Sequence, residues 1–156
     1  MKVLVCTVVH NPTDARIFRR EIEALLNAGH EVTAIAPWQQ TTPSRPELVR
    51  VTVPRAVSRD RFTSWRAARG RLRDLIPTHD LVIVHDPELL AVLPWREARR
   101  FKVQVVWDVH EDLAAAIAMK SYIPKFLRGA LSWLVRLGEK IVERRAVLLL
   151  AERGYQ

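Results

Sequence analysis

Three groups of ionisable residues in this sequence have the types and spacing that could do chemistry. Each group follows a short apolar run, and each contains a histidine close to a carboxylate. The groups are His10 with Asp14 and Arg16, His85 with Asp86, and His110 with Glu111. A histidine near a carboxylate suits hydrogen-bond donation and proton transfer close to neutral pH. The two remaining histidines, His30 and His79, precede apolar runs instead.

His110 is the sharpest single candidate for a catalytic residue. Acidic side chains surround it in the sequence, at Asp108, Glu111 and Asp112. Their negative charges favour the imidazolium form, which could donate a hydrogen bond to a substrate hydroxyl or phosphate. The alternative is a histidine that is hydrogen-bonded within the protein and takes no part in chemistry.

Several common catalytic and cofactor motifs are absent from the sequence. The loop after the first apolar run has no glycine, so it lacks the Gly-x-Gly-x-x-Gly pattern of dinucleotide sites. No Gly-Lys-Ser/Thr or Gly-x-Ser-x-Gly sequence occurs, and Cys6 lies inside an apolar run, which favours a core residue. The histidines and the cysteine do not have the spacing of zinc ligands, so we expect no metal and no bound cofactor.

The first loop could nevertheless bind a phosphate through the start of the helix that follows it. The free N–H groups near residues 14–17 would point at such a ligand. In the alternative interpretation, Asp14 is only a helix cap and Arg16 only a solvated side chain.

Apolar runs and breaker residues predict six strands and four helices. The strands cover residues 3–9, 31–36, 48–53, 80–85, 103–109 and 146–151; the helices cover 14–29, the second half of 55–76, 87–100 and 124–145. Thr13 or Asp14 can cap the first helix and Gly29 can close it, and Pro87 suits a first helical turn. Strands that alternate with helices predict an α/β fold, a Rossmann-like doubly wound parallel sheet with strand order 3-2-1-4-5-6.

This architecture predicts that the three ionisable groups lie at the same edge of the sheet. In an open parallel sheet, ligands bind outside the carboxyl ends of the strands. The groups follow the first, fourth and fifth strands, so we expect them at one edge of the sheet, here called the rim. His30 and His79 are expected at the opposite edge.

Length and composition limit the class of protein. The chain has 156 residues, 49% of them hydrophobic, which fits one folded domain with a sizeable core. One cysteine excludes a disulfide framework. Since the longest stretch without a charged residue is thirteen residues, no membrane span is expected. The single cysteine fits a reducing compartment, so the expected location is the cytoplasm.

The net charge of +8 is concentrated in the middle of the chain. Residues 55–102 contain eleven basic and six acidic side chains. Such a surface could contact an anionic membrane or another anion, and the arginines expected to do so are Arg59, Arg61, Arg66, Arg69, Arg73 and Arg128. Nucleic acid is a poor candidate partner, because Phe62 and Trp65 are the only aromatic residues within 55–73.

Three sequence motifs resemble glycosyltransferase family 4 enzymes. They are His10…Asp14-x-Arg16-Ile17 followed by Asn27-Ala-Gly-His-Glu-Val-Thr33, then Asp80-Leu-Val-Ile-Val-His-Asp-Pro-Glu-Leu-Leu90, and Trp107-Asp-Val-His-Glu111. The motifs occur in the order and spacing of that family. The resemblance implies the N-terminal, acceptor-side domain of a GT-B enzyme. Such enzymes move a sugar from a nucleotide-sugar to an acceptor hydroxyl, usually with retained anomeric configuration and without a metal.

The resemblance also implies roles for the residues of the rim. His110 takes the position that faces the transferred sugar. The residues implied to line the acceptor side and the cleft are His10, Asp14, Arg16, His85, Asp86 and Glu111. This assignment suggests two partners, a nucleotide-sugar donor bound mostly by the missing domain and a glycan or lipid-linked acceptor. The expected peripheral position on a membrane comes instead from the basic surface.

Two departures from the family pattern matter. The first loop lacks the glycines that approach the donor phosphate in many members, and a second, donor-binding domain with a Glu-x7-Glu motif is absent from residues 1–156. We therefore expect a single domain that is inactive without that partner domain. The alternatives are half of a nucleotide-sugar epimerase and a non-catalytic basic binding module.

Overall fold

The computed structural model describes residues 1–39, 45–57, 61–109, 129, 133, 136–138, 140–142 and 144–150. Six strands form one sheet: β1 (Lys2–Cys6), β2 (Glu31–Ala36), β3 (Leu48–Thr52), β4 (Leu81–Val84), β5 (Gln104–Val109) and β6 (Val147–Leu150). Helix α1 consists of a π-helical part, Ala15–Ile22, and an α-helical part, Glu23–Asn27. The other helices are α2 (Arg61–Leu75), which continues as a 3-10 turn (Ile76–Thr78), α3 (Pro87–Val92) and α4 (Trp95–Arg100).

The sheet is parallel throughout and has the order β3-β2-β1-β4-β5-β6. The predicted α/β fold and the predicted strand order are therefore confirmed. Val3, Val5 and their neighbours on one face pack against α1. Leu4, Cys6 and their neighbours on the other face pack against α2, α3 and α4. Since both faces of β1 are covered, its continuous apolar sequence follows from its central position.

The first strand is shorter than its apolar run suggests. Residues 3–9 are predicted to be extended, but β1 ends at Cys6 and the chain bends at residues 8–10. The bend presents the amides of Val8 and Val9 to the carboxylate of Asp86 instead of to a strand. A buried hydrogen-bond acceptor thus decides where β1 stops.

Helix α1 begins and ends as predicted but winds differently. The Asp14 carboxylate accepts hydrogen bonds from the amides of Arg16 and Ile17, which confirms it as the cap. Gly29 has φ +79°, a left-handed conformation typical of the residue after a helix. Between these ends, the first eight residues are π-helical rather than α-helical.

The predicted single helix over residues 87–100 is wrong. The structure has two short helices, α3 and α4, separated at Leu93 and Pro94. Proline lacks the N–H that a helix interior requires, and it forces the preceding residue out of the helical region. Leu93 accordingly has φ −57° and ψ 134°.

The last predicted helix, over residues 124–145, lies largely outside the described residues. Those described between 129 and 142 are helical, whereas Arg144 and Arg145 form a turn, so the helix stops before the predicted end. In the parts of the chain that are described, no helix combines the length and apolar character needed to cross a bilayer.

Candidate functional site

The rim is built around Asp86, which follows β4 and is 1% exposed. Its carboxylate accepts hydrogen bonds from the amides of Val8 and Val9 and from the hydroxyl of Thr7. The register explains this contact, because Cys6 lies beside Val84 and the following residues of both strands continue side by side. Asp86 therefore fixes the shape of the loop after β1.

His10 is held at the rim by the same carboxylate. Its Nε2 lies 3.5 Å from Oδ1 of Asp86, and its amide donates to the Thr7 hydroxyl at 3.2 Å. About a third of the His10 side chain, 35%, is exposed. His10 is thus an anchored side chain that a ligand at the rim could reach.

A buried ionic network lies next to Asp86 on the α1 side of the sheet. It consists of Glu21, His85, Asp108 and Arg16. The Glu21 carboxylate contacts Nε2 of His85 at 3.1 Å, and Nδ1 of His85 contacts Oδ2 of Asp108 at 3.0 Å. A guanidinium nitrogen of Arg16 donates to Oδ1 of Asp108. Negative and positive groups therefore alternate along the network from Glu21 to Arg16.

The sheet register and the winding of α1 bring these four residues together. Val84 lies beside Trp107, so the next residues of these strands, His85 and Asp108, are neighbours on the same face. On an α-helix, residues five apart, such as Arg16 and Glu21, would lie about 140° apart around the axis. The i→i+5 hydrogen bonding of a π-helix brings such residues onto nearly the same side. The π-helical winding thus allows Arg16 to contact Asp108 and Glu21 to contact His85 from the same side of α1.

The network determines the charge of His85. Burial alone would lower the pKa of this histidine. Hydrogen bonds to Asp108 and Glu21, together with the negative charges of both groups, outweigh burial and raise the pKa from 6.5 to about 9. His85 is therefore an imidazolium at neutral pH, and the four charges of the network sum to zero.

The same cluster has the spacing of a metal site but not its chemistry. Ligand atoms of Glu21, His85 and Asp108 lie within 4.8 Å of one another. An imidazolium with a hydrogen bond at each nitrogen has no lone pair for a metal. The guanidinium of Arg16 also occupies one oxygen of Asp108. These side chains fit a proton and an arginine better than they fit a metal ion.

The N–H groups at the start of α1, which were predicted to be able to bind a phosphate, are not free to do so. Asp14 already occupies the amides of Arg16 and Ile17 with its own carboxylate. Cationic side chains remain within reach of the loop, among them Arg16, which is 33% exposed, and Arg55, which donates to the carbonyl of Val9 at 3.1 Å. The structure thus gives Asp14 a capping role and leaves Arg16 facing the rim.

The predicted site residues differ in how accessible they are. His10 and Arg16 are partly exposed, whereas His85 and Asp86 are each 1% exposed and support the rim from below. His110 and Glu111 lie outside the described residues, as do Arg59 and Arg128. Their assigned roles stay predictions. His30 and His79 precede β2 and β4 at the opposite edge, as expected.

Three of the arginines predicted to contact an anion hold α2 against α3 and α4. Arg61 pairs with Glu88 at 2.7 Å, Arg73 lies 3.5 Å from Glu97, and Arg69 donates to the carbonyl of Val92 at 2.6 Å. Arg66 is exposed on the same helix. The basic composition of this segment thus serves packing as well as surface charge.

Glu21 is a charged member of the site that sequence reasoning missed, and the hydroxyl of Thr7 is an uncharged one. Under the α-helical pattern Glu21 lies on a polar helix face away from Arg16, so nothing links it to the rim. The sequence feature that indicates π-helical winding is a spacing of five residues between Arg16 and Glu21, repeated between Ile17 and Ile22. Ile17 and Ile22 are both buried.

The fold and the rim define a Rossmann-like domain whose polar residues gather at the carboxyl ends of its strands. The glycosyl transferase 4-like domain matches residues 15–151, most of the chain. The chain belongs to the glycosyl transferase 4-like domain family. No curated protein matches it. Among solved structures, a short-chain dehydrogenase/reductase from Burkholderia vietnamiensis is similar, with 13% identity and a TM-score of 0.48, over 98% of this chain and 84% of that one.

Proposed function

We propose that this chain is the acceptor-side domain of a retaining glycosyltransferase, which moves a sugar from a nucleotide-sugar to an acceptor hydroxyl. The observation that carries the proposal is the family match over residues 15–151. The rim supports it, because His10 and Arg16 are partly exposed there and each is held by a buried carboxylate. Convergent, anchored polar groups of this kind suit a polar substrate.

In this proposal the work is divided between two domains. A second domain binds most of the donor nucleotide, and no metal or cofactor takes part. The bond between the sugar's anomeric carbon and a donor phosphate oxygen breaks, and that oxygen keeps the electron pair. The acceptor oxygen forms a bond to the same carbon and gives up its proton, which the departing phosphate takes. His110, which follows the last residue of β5 in sequence, donates a hydrogen bond to the transferred sugar as the phosphate leaves.

We expect His110→Ala to lower kcat of the two-domain enzyme by about 10²–10³, the usual cost of losing one well-placed donor. Steady-state kinetics with a radiolabelled nucleotide-sugar measure the effect. His30→Ala is the matched control, since His30 precedes β2 at the opposite edge. A near wild-type kcat for His110→Ala would reject the assignment of this residue.

The division of labour is tested on the 156-residue chain itself. Isothermal titration with UDP-sugars and GDP-sugars is expected to show weak or undetectable binding, and transfer assays are expected to show no product. The same assays on this chain together with a donor-binding domain are expected to show transfer. Micromolar affinity of the chain alone for a UDP-sugar would contradict the two-domain proposal.

A further inference from the structure

Arg16 differs from a simple surface arginine in the way it is held. One guanidinium nitrogen donates to Asp108, which is 1% exposed. Asp108 is itself fixed by His85 at 3.0 Å. A third of the Arg16 side chain remains exposed at the rim. Arginine presents five N–H groups in a rigid plane that matches phosphate oxygens, so an arginine held at one end is prepared for a bidentate anion contact.

The order of charges along the network determines how positive its exposed end is. Glu21, with a side chain 14% exposed, lies at one end, and Arg16 lies at the other. Between them, the negative charge of Asp108 is shared by His85 and Arg16. If His85 lost its proton, one positive charge beside Asp108 would be removed, and the attraction of Arg16 for an anion would weaken. Glu21 favours the protonated form of His85.

We propose that Arg16 binds a phosphate group of the substrate, and that Glu21 positions it through the buried ionic network. The proposal rests on the proposed function only for the identity of the ligand. The phosphate belongs either to the donor diphosphate or to a phosphate-bearing acceptor. UDP represents the first source and inorganic phosphate the second.

The binding role is tested by NMR titration of the ¹⁵N-labelled chain, which detects the weak affinity expected of one domain. UDP and inorganic phosphate are added separately to wild type, Arg16→Gln, Arg16→Lys and Arg19→Gln. Arg19→Gln is the matched control, because it removes the same charge from an exposed position of the same helix. We expect Arg16→Gln to weaken binding about tenfold, as for loss of a charged hydrogen bond. Arg16→Lys is expected to recover only part of the loss, and Arg19→Gln to change binding less than twofold.

The stronger of the two probes identifies the source of the phosphate. Tighter binding of UDP assigns Arg16 to the donor, and tighter binding of inorganic phosphate assigns it to the acceptor. The proposal is overturned if neither probe shifts the Arg16 resonances, or if Arg16→Gln and Arg19→Gln weaken binding equally.

The positioning role of Glu21 is tested by the pH dependence of the same affinity. Glu21 from α1 and Asp108 from β5 are hydrogen-bonded to His85, and Arg16 contacts the other oxygen of Asp108. We expect the ratio of Kd for Glu21→Gln to Kd for wild type to rise several-fold between about pH 6 and pH 8, because His85 then loses its proton in the variant. The protonation of the probe itself changes both Kd values by the same factor, so its effect cancels in the ratio.

A ratio that stays constant over this pH range would assign Glu21 a structural role only and overturn the positioning half of the proposal. If Glu21→Gln does not fold, the same series on Glu21→Asp decides the question, since the shorter side chain withdraws the charge from His85. These binding measurements do not depend on sugar transfer. Failure of the transfer assay alone would reject the proposed function and leave the phosphate contact standing.

Discussion

Asp86 is the residue on which the shape of the rim depends most directly. We expect Asp86→Asn to lower the free energy of unfolding by about 2–3 kcal/mol, because the buried donors of Thr7 and Val8 and the partly buried amide of Val9 lose a charged acceptor. Urea unfolding measures the change. Asp74→Asn makes the same substitution at an exposed position of α2 and is expected to stay within about 0.5 kcal/mol of wild type. Equal unfolding midpoints for the two variants would show that Asp86 does not fix the loop.

His85 makes stability depend on pH near neutrality. Its pKa in the folded protein, about 9, lies above the ordinary value of 6.5, so the folded chain binds this proton more tightly than the unfolded chain does. The stabilisation is fully present below pH 6.5 and is lost as the pH rises toward 9, by an amount on the order of 3 kcal/mol. Urea unfolding between about pH 6 and pH 8.5 is expected to show this decline.

The upper limit of that range avoids a second titration. Burial, and to a smaller extent the charge of Asp86, raises the pKa of the Cys6 thiol well above its ordinary value, so Cys6 adds its own decline at higher pH. Glu21→Gln is expected to reduce the slope, since one of the two carboxylates that hold the proton is removed. A wild-type stability that is flat over this range would contradict the protonated state of His85.

The π-helical winding of α1 can be tested by changing the number of residues between Arg16 and Glu21. Deletion of the exposed Arg20 brings Arg16 and Glu21 to a spacing of four, which an ordinary α-helix places on one face. The network and the buried pair Ile17 and Ile22 then remain aligned without π-helical winding. We expect the deletion to change the free energy of unfolding by no more than about 1 kcal/mol, the size of a typical single substitution.

An alanine inserted between Arg19 and Arg20 provides the opposite change. It increases the spacing to six, which neither form of helix aligns, so it is expected to destabilise the protein more than the deletion does. Urea unfolding and the NMR signal of the His85 ring report both variants. If the insertion is tolerated better than the deletion, the winding of α1 does not serve the network.

The elements differ in how far the sequence determines them. The six strands follow from short apolar runs bounded by breakers, and their order follows from the alternation of strands with helices, which is typical of a doubly wound sheet. Pro94 indicates a break within residues 87–100, but the apolar spacing across the same residues is typical of one continuous helix and led to the wrong prediction. The π-helical winding has only one local signal, the spacing of five residues from Arg16 to Glu21 and from Ile17 to Ile22, and its meaning depends on contacts that Arg16 and Glu21 make with distant strands. The same reason hides the role of Glu21, while His10, Arg16, His85 and Asp86 could be placed at the rim from strand ends alone.

At the scale of the whole molecule, the net charge of +8 predicts adsorption to anionic membranes. Each basic residue near such a surface contributes about 1 kcal/mol, and the contribution fades as salt is added. We expect the chain to sediment with phosphatidylserine-containing vesicles at low salt and not with phosphatidylcholine vesicles.

A pair of charge reversals locates the surface responsible. Arg66 is exposed on α2, on one side of the sheet, and Arg19 is exposed on α1, on the other side. We expect Arg66→Glu to weaken sedimentation more than Arg19→Glu. Equal losses, equal binding to neutral and anionic vesicles, or binding to neither would reject adsorption through the α2 side.

The strand order also has a consequence for the time course of synthesis. β1 lies between β2 and β4, and the loop after β1 contacts Asp86 through the amide of Val8, a residue 78 positions earlier in the chain. A ribosome adds about 5–20 residues per second, so Asp86 emerges roughly 4–16 s after Val8. The unit of β1, α1 and β2 is complete long before then. During that interval the amides of Val8 and Val9 have no access to their native acceptor, and the rim is assembled only after the scaffold beneath it has been made.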